Sequence, residues 1–394
     1  MNWDELQIQA SLCELQELLF LTGRDSRIVR WTQAYSRFKK KQIFSAQQGL
    51  RALTQTQPKD PRKLRVFFWL PGGLGDAACA RRVIDAYRTI LPDALFEIYS
   101  PVPQTVQTVF AGIPGVVCAQ DCKKYWKNYD LAVLACLCVK FLWADEKRLA
   151  ALAPDFLPVF SRAVTAQKKL DFLLEDPFLT EAALGRWLLK QGGRRFDLLS
   201  FTSGADLPHD AQEQLPVCLD QLSKWGLTEQ TYLTFHDGSD GETLPTRMWP
   251  RSSWKTLLTH IKNSYPHIKI VQLGVKNNPV YTQADVCLCG QTTLTDLPTL
   301  LAGACIHIDT ESGLVHLAQY LKTRSVVLFG PSDKYFFAYQ KNQNLAAENC
   351  GGCMWMQPDW MRVCPLQKDP AACMQAIPPR QVFSAVQHLL QTDN

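Results

Sequence analysis

The sequence predicts an α/β protein made of two Rossmann-like halves, on three observations. An apolar run of strand length, Leu64 to Leu70, passes straight into a glycine-rich turn and then into a helix-like segment. From about Thr231 to Gly330, short apolar runs alternate with helix-like segments in a regular βαβαβ order. The chain has 394 residues, enough for two to three domains, each with its own core.

The elements follow in order. Residues 1–62 read as a helical N-terminal extension, with Leu6, Ile8, Leu12, Leu15, Leu18, Leu19 and Leu21 on a loose helical stripe. The basic run Arg37-Phe38-Lys39-Lys40-Lys41 reads as a solvated helix face or, more sharply, as a membrane-surface contact. Residues 55–62, with Pro58 and Pro61, read as a linker. The first Rossmann-like domain spans 63–227, with parallel strands expected over 64–70, 95–99, 115–118 and 131–135, a helix over 77–91, and mostly helix across 145–225. The second spans 228–345. Its expected strands cover 232–236, 268–274, 304–308 and 325–330, and its helices cover 252–264, 294–302 and 313–321. Residues 346–394 hold a cluster of cysteines and a final helix over 380–390.

Composition narrows the function classes. Hydrophobic residues make up 46% and charged residues 20%, an ordinary globular balance. A net charge of +5 is too small and too dispersed for a nucleic-acid-binding protein, but suits anionic substrates or a weak attraction to an anionic membrane surface. The first residues lack the basic and apolar regions of a signal peptide, and the longest apolar run, 131–138, is too short to span a bilayer. A cytoplasmic protein with a peripheral inner-membrane contact is the expectation. Cys79, Cys136, Cys138, Cys287, Cys289 and Cys305 sit in apolar segments and read as small buried hydrophobes, without a disulfide framework.

Three motifs carry chemistry. Gly72-Gly73-Leu74-Gly75-Asp76 follows the first strand. Its glycines admit a ligand close to the backbone, and Asp76 reads either as a helix cap or as a general base at the strand's carboxyl end. Asp309-Thr310-Glu311-Ser312-Gly313-Leu314-Val315-His316 links a strand to a helix, where the Ser312 and Gly313 amides suit a diphosphate. His316 lies one turn inside, as a ligand-facing or a core histidine. In Arg247-Met248-Trp249-Pro250, with Trp254 four residues on, the guanidinium suits phosphate or simple surface solvation.

Taken together, G-G-x-G-D, R-x-W-P-x-x-x-W and S-G-L-V-H-L-A-x-x-L-x-T-x-S-V-V-L-F-G-P-S resemble glycosyltransferase family 9, the lipopolysaccharide heptosyltransferases and their relatives, over residues 64–335. The resemblance implies a GT-B fold, two Rossmann-like domains facing a cleft, with the final helix packing back on the N-terminal domain. It implies inverting transfer without a catalytic metal, from ADP-heptose or a related nucleotide sugar. The acceptor would be a lipopolysaccharide or O-antigen saccharide, or a protein. Asp76 matches the family's base, with Gly72, Gly73 and Gly75 forming the acceptor-side loop. Arg247 stands where the family has lysine at the donor phosphate, and Glu311, Ser312, Gly313, Leu314 and His316 match the donor loop. Glu311 stands in place of the family's aspartate, and Asp309 two residues earlier is the candidate substitute. Rival readings are a nucleotide-sugar epimerase and a degenerate nucleotide- or metal-binding interaction module.

Cys350, Cys353, Cys364 and Cys373 form C-x2-C-x10-C-x8-C. Four cysteines beginning with C-x-x-C suggest a structural tetrathiolate site for zinc or iron. The autotransporter heptosyltransferases of the same family carry a similar C-terminal arrangement that holds iron.

Overall fold

In the computed structural model the chain is described over residues 42–43, 45–174, 185, 188–189, 191–211, 214–238, 244–356 and 359–391. The N-terminal leucine stripe and the basic run at 37–41 fall outside these residues. The chain divides into two compact units, Met1–Pro208 and His209–Asn394.

In the first unit five strands lie in the order β3-β2-β1-β4-β5. They are β1 (Arg65–Trp69), β2 (Leu95–Tyr99), β3 (Val116–Cys118), β4 (Leu131–Ala135) and β5 (Val139–Ala144). Val66, Phe67 and Phe68 are fully buried, as expected for a central strand covered on both faces. The first four strands pair in parallel, whereas β5 is antiparallel to β4. The sequence reading placed no strand there. Only Cys136 to Cys138 separate β4 from β5, with the Cys136 amide donating to the Cys138 carbonyl at 3.1 Å, and so short a link permits only a hairpin. The 55–62 segment, expected as a linker, is fastened to this sheet: Lys59 pairs with the buried Asp130 at 3.0 Å and with Asp145 at 2.8 Å.

Helix α1 (Leu74–Ile90) begins three residues earlier than expected. Asp76 sits in its first turn and accepts from the Gly73 amide at 3.2 Å, so the cap draws Leu74 and Gly75 into the helix. Ala77, Ala78, Cys79 and Ala80 are buried along it. Helices α2 (Leu157–Leu174) and α3 (Arg195–Ser203) belong to the same unit, with the buried Tyr87 hydroxyl of α1 donating to the Ser203 carbonyl at 2.7 Å.

Among the described residues the second unit has six strands, all paired in parallel: β6 (Tyr232–His236), β7 (Lys269–Gln272), β8 (Val286–Cys287), β9 (His307–Thr310), β10 (Ser325–Phe329) and β11 (Gln343–Ala346). Their order is β11-β10-β9-β6-β7-β8, the doubly wound Rossmann order with its topological switch between β6 and β9. Helix α4 (Arg251–Ser264) buries Trp254, Leu257, Leu258 and Ile261. A seven-residue helix, α5 (Gly313–Gln319), follows β9.

The last helix, α6 (Pro379–Gln391), packs within its own unit. Its apolar stripe, Val382, Ala385, Val386 and Leu389, lies in one core with Trp254, Leu257 and Val326, and Arg324 donates to the Leu389 carbonyl at 2.7 Å. The domain boundary, expected at 227/228, falls at 208/209. Leu222 is buried beside Gly303, and the Leu215 amide donates to the Tyr320 carbonyl at 3.1 Å, so residues 209–227 belong with the second sheet.

Of the cysteines read as buried hydrophobes, Cys79 and Cys138 are buried and Cys136, Cys287, Cys289 and Cys305 are half-buried. Among the described residues no single helix is long and apolar enough to cross a membrane.

Candidate active site

The β6–β9 switch point collects most of the singled-out side chains of the second unit. Pairing in register sets His236 opposite Asp309 and Thr234 opposite His307. The buried Asp309 carboxylate then bonds His236 Nδ1 at 3.0 Å, His307 Nε2 at 3.2 Å and the Ser312 hydroxyl at 2.5 Å. His307 Nδ1 meets the Thr234 hydroxyl at 3.0 Å. With both oxygens engaged, Asp309 anchors the loop to β6 and to Ser312. Burial opposes charge on both partners. On Asp309 the His236 charge outweighs it and holds the carboxyl below its usual range; on His236 the Asp309 charge outweighs it and raises the imidazole.

Glu311 points into a second network. It pairs with Arg247 Nη1 at 2.8 Å, with His316 Nε2 at 3.3 Å and with the Ser332 hydroxyl at 2.8 Å. His316 Nδ1 meets the Tyr339 hydroxyl at 2.8 Å. Burial works against the Glu311 carboxylate, yet the Arg247 charge, with His316 and Ser332 added, holds it well below the usual range. The two departures from the family pattern, arginine for lysine and glutamate for aspartate, thus meet each other as an ion pair.

Arg247 Nη1 also donates to the Glu311 carbonyl at 3.1 Å, and the buried Nε has no hydrogen-bond partner among the described residues. A buried guanidinium nitrogen left without an acceptor fits a site that receives an anion. The Thr310 hydroxyl, buried beside Gly238, is likewise unpartnered. Trp249 and Trp254 stack edge to face at 5.1 Å, and Trp249 Nε1 donates to the Ile377 carbonyl at 3.0 Å. In this motif the tryptophans are core and the arginine faces the site. Ser312 caps α5 by accepting from the Leu314 amide at 3.2 Å, so that amide is already satisfied.

The first-unit residues form a separate cluster. Gly72 and Gly73 lie in the turn after β1, and Gly75 and Asp76 lie in the first turn of α1. A Cβ on Gly72 would stand 2.4 Å from Asp76 Oδ2, so glycine is required there. Asp76 is part-exposed and takes Arg195 Nη2 on Oδ1 at 2.7 Å. The sequence reading missed Arg195, which is buried at the start of α3 119 positions away from Asp76.

Cys350, Cys353, Cys364 and Cys373 line one cavity of about 240 Å³, with Thr246, Trp360 and Pro365 also in its wall. Burial pushes the Cys373 thiol up to about 12, with Cys350, Cys353 and Cys364 adding repulsion. At Cys364, backbone N–H groups of Ala372, Lys368 and Leu366 outweigh burial and lower the thiol. A group of thiols that repel one another in a shared cavity, one of them lowered by backbone amides, suits a cation. The thiols stand around the cavity wall, however, and among the described residues no three His, Cys, Asp or Glu side chains are arranged to hold a metal.

Comparison with known proteins agrees with this layout. Residues 193–368 match the family model for glycosyltransferase family 9 (heptosyltransferase). Lipooligosaccharide heptosyltransferase 2 of Campylobacter jejuni is 28% identical over 108 residues, 27% of this chain. The chain spans about a third of the length of that curated relative, 32%. Among solved structures, the E. coli ADP-heptose lipopolysaccharide heptosyltransferase II is similar at 15% identity and a TM-score of 0.50, over 84% of this chain and 99% of that one. The iron-containing dodecameric glycosyltransferase TibC of enterotoxigenic E. coli is similar at 14% identity and a TM-score of 0.55, over 86% of this chain and 82% of that one. The shared feature is the GT-B layout of two Rossmann-like domains.

Proposed function

We propose that the chain is an inverting glycosyltransferase of family 9 that takes heptose from ADP-heptose, a reading supported by the match of residues 193–368 to that family's model. The observation that carries this reading is the Arg247–Glu311–His316 cluster at the carboxyl ends of β6 and β9, with a guanidinium nitrogen awaiting an acceptor. The carboxyl-end switch point is where doubly wound sheets take nucleotides. A heptosyltransferase of similar fold is described in complex with ADP-D-beta-D-heptose.

In this reading Arg247 contacts the donor diphosphate and stabilises the charge that grows on the leaving nucleotide. Glu311, His316 and Ser332 hold it in place. Asp76 accepts the proton of the acceptor hydroxyl as that oxygen attacks the anomeric carbon. The C–O bond to the diphosphate breaks as the new glycosidic bond forms, with inversion, and no step calls on a metal. Arg195 orients the carboxylate, and Gly72 keeps the turn open above it. The acceptor is a lipopolysaccharide core or O-antigen saccharide, or a protein side chain, met in the cytoplasm at the inner membrane face.

The cysteine cavity fits a structural iron or zinc ion held by Cys350, Cys353, Cys364 and Cys373 once the thiols turn inward. Such an ion would cross-link the segment after β11 and supply no chemistry to the transfer. TibC, of similar fold, is described as iron-containing.

Asp76→Asn tests the base. Transfer from ADP-heptose, followed by ADP release, is expected to fall by about 10²- to 10⁴-fold, with ADP affinity nearly unchanged. Transfer by D76N at a near wild-type rate would remove Asp76 from the mechanism.

A further inference from the structure

The cysteine segment reaches the donor site through one aromatic ring. Trp360, buried between Cys353 and Cys364 in the chain, lies with its ring centroid 5.5 Å from the Arg247 guanidinium carbon. The backbone beside that ring is fixed by the residue before Arg247. The buried Thr246 hydroxyl bridges the Trp360 carbonyl at 3.1 Å and the Met361 carbonyl at 2.8 Å. Thr246 and Trp360 also form part of the wall around the four thiols.

The other limb of the segment is tied to Arg247's partner. The Gly352 amide donates to the Gly330 carbonyl at 3.0 Å, and the Met354 amide to the Pro331 carbonyl at 2.9 Å. Ser332, next in that loop, donates to Glu311 at 2.8 Å. Each limb of the cysteine segment therefore holds one member of the Arg247–Glu311 pair.

We infer that Trp360 is a positioning residue for Arg247, so that the cysteine segment sets the enzyme's affinity for the donor nucleotide. This rests on the donor-site reading given above. The face of an indole fixes the plane of a guanidinium without taking any of its N–H groups. Arg247 can then lean on Trp360 while Nη1 stays on Glu311 and Nε remains available to phosphate. Packing the thiols together around a metal would stiffen both limbs, and leaving them apart would loosen both.

The test is calorimetric binding of ADP to the full chain, in wild type, W360A, W360F, T246V, R247A and the W360A/R247A double variant, with metal content measured on each. W360A is expected to weaken ADP by roughly threefold to thirtyfold. W360F should recover most of that loss, T246V should fall between, and KM for ADP-heptose should rise with kcat little changed. In the R247A background W360A should cost nothing further, because the ring then has no guanidinium to hold. If R247A weakens ADP while W360A and T246V do not, the inference is wrong and the donor reading stands. An equal further loss from W360A in the R247A background would also overturn it, since the ring would then act only through the fold. If R247A leaves ADP affinity unchanged, or wild type binds no ADP, the donor reading fails first and the inference with it.

Discussion

Asp309 lies between two histidines at the switch point, and the charge on one of them makes this edge of the sheet sensitive to pH. His236 is raised above the ordinary histidine value of about 6.5 because the Asp309 carboxylate and its hydrogen bond outweigh burial. A group raised on folding contributes stability that is fully present below its unfolded value and is lost as pH rises through the folded value. The stability advantage of wild type over His236→Gln should therefore be largest near pH 6 and shrink steadily toward pH 9, read by thermal or urea unfolding. A constant difference across that range would mean that His236 is neutral in the fold. Glu311 has the opposite sign. Held below its usual range mainly by Arg247 against burial, it stabilises above the ordinary carboxylate range and loses that contribution as pH falls. At this scale the sequence marked Asp76, Arg247, Glu311 and His316 by motif. It did not mark His236, Arg195 or Tyr339, because each joins the site through a long-range contact with no local signature. Ser332 stood inside the quoted F-G-P-S, but nothing in that tetrapeptide announces a bond to a glutamate 21 positions earlier.

Among the elements, the R-x-W-P-x-x-x-W segment separates into two roles that its spacing alone leaves joined. Trp254 is fully buried against Phe235 at 5.5 Å and against Trp249, whereas Arg247 is part-exposed at the edge. Trp254→Ala should cost about 3–5 kcal/mol of unfolding free energy in a denaturant titration, from lost contacts and the cavity left behind. A cost below about 1 kcal/mol would mean that the α4 contact contributes little to this core. The strands β1, β6 and β10 and the helix α4 were legible because their apolar runs are continuous or strongly periodic. Where a tertiary contact decided the outcome, the sequence reading missed. Strand β5 exists because a tight turn returns the chain, and β9 runs to Thr310 because its polar residues pair with β6 and β10. Polar side chains such as His307 and Asp309 conceal a central strand, since their partners come from other strands.

For the whole molecule, two Rossmann-like sheets were legible from alternation, and the boundary between the units was misplaced by 19 residues, from 227 to 208. The intervening 3-10 helix, Leu219–Trp225, carries few apolar residues, and only its burial of Leu222 against the second unit assigns it there. In the proposed reading the two units divide the work accordingly, with the acceptor-side base on the first and the donor nucleotide on the second. The claim central to this division is that the β6–β9 edge of the second unit binds a nucleoside diphosphate through Arg247. The most direct measurement is the melting temperature of the full chain across a concentration series of ADP, UDP, GDP and CMP, in wild type and in R247A. A ligand that binds only the folded state raises the midpoint as its concentration passes its dissociation constant. A saturable rise with ADP in wild type, largely lost in R247A, is the expected result. No rise with any of the four nucleotides, or an ADP-induced rise of equal size in R247A, would contradict the claim.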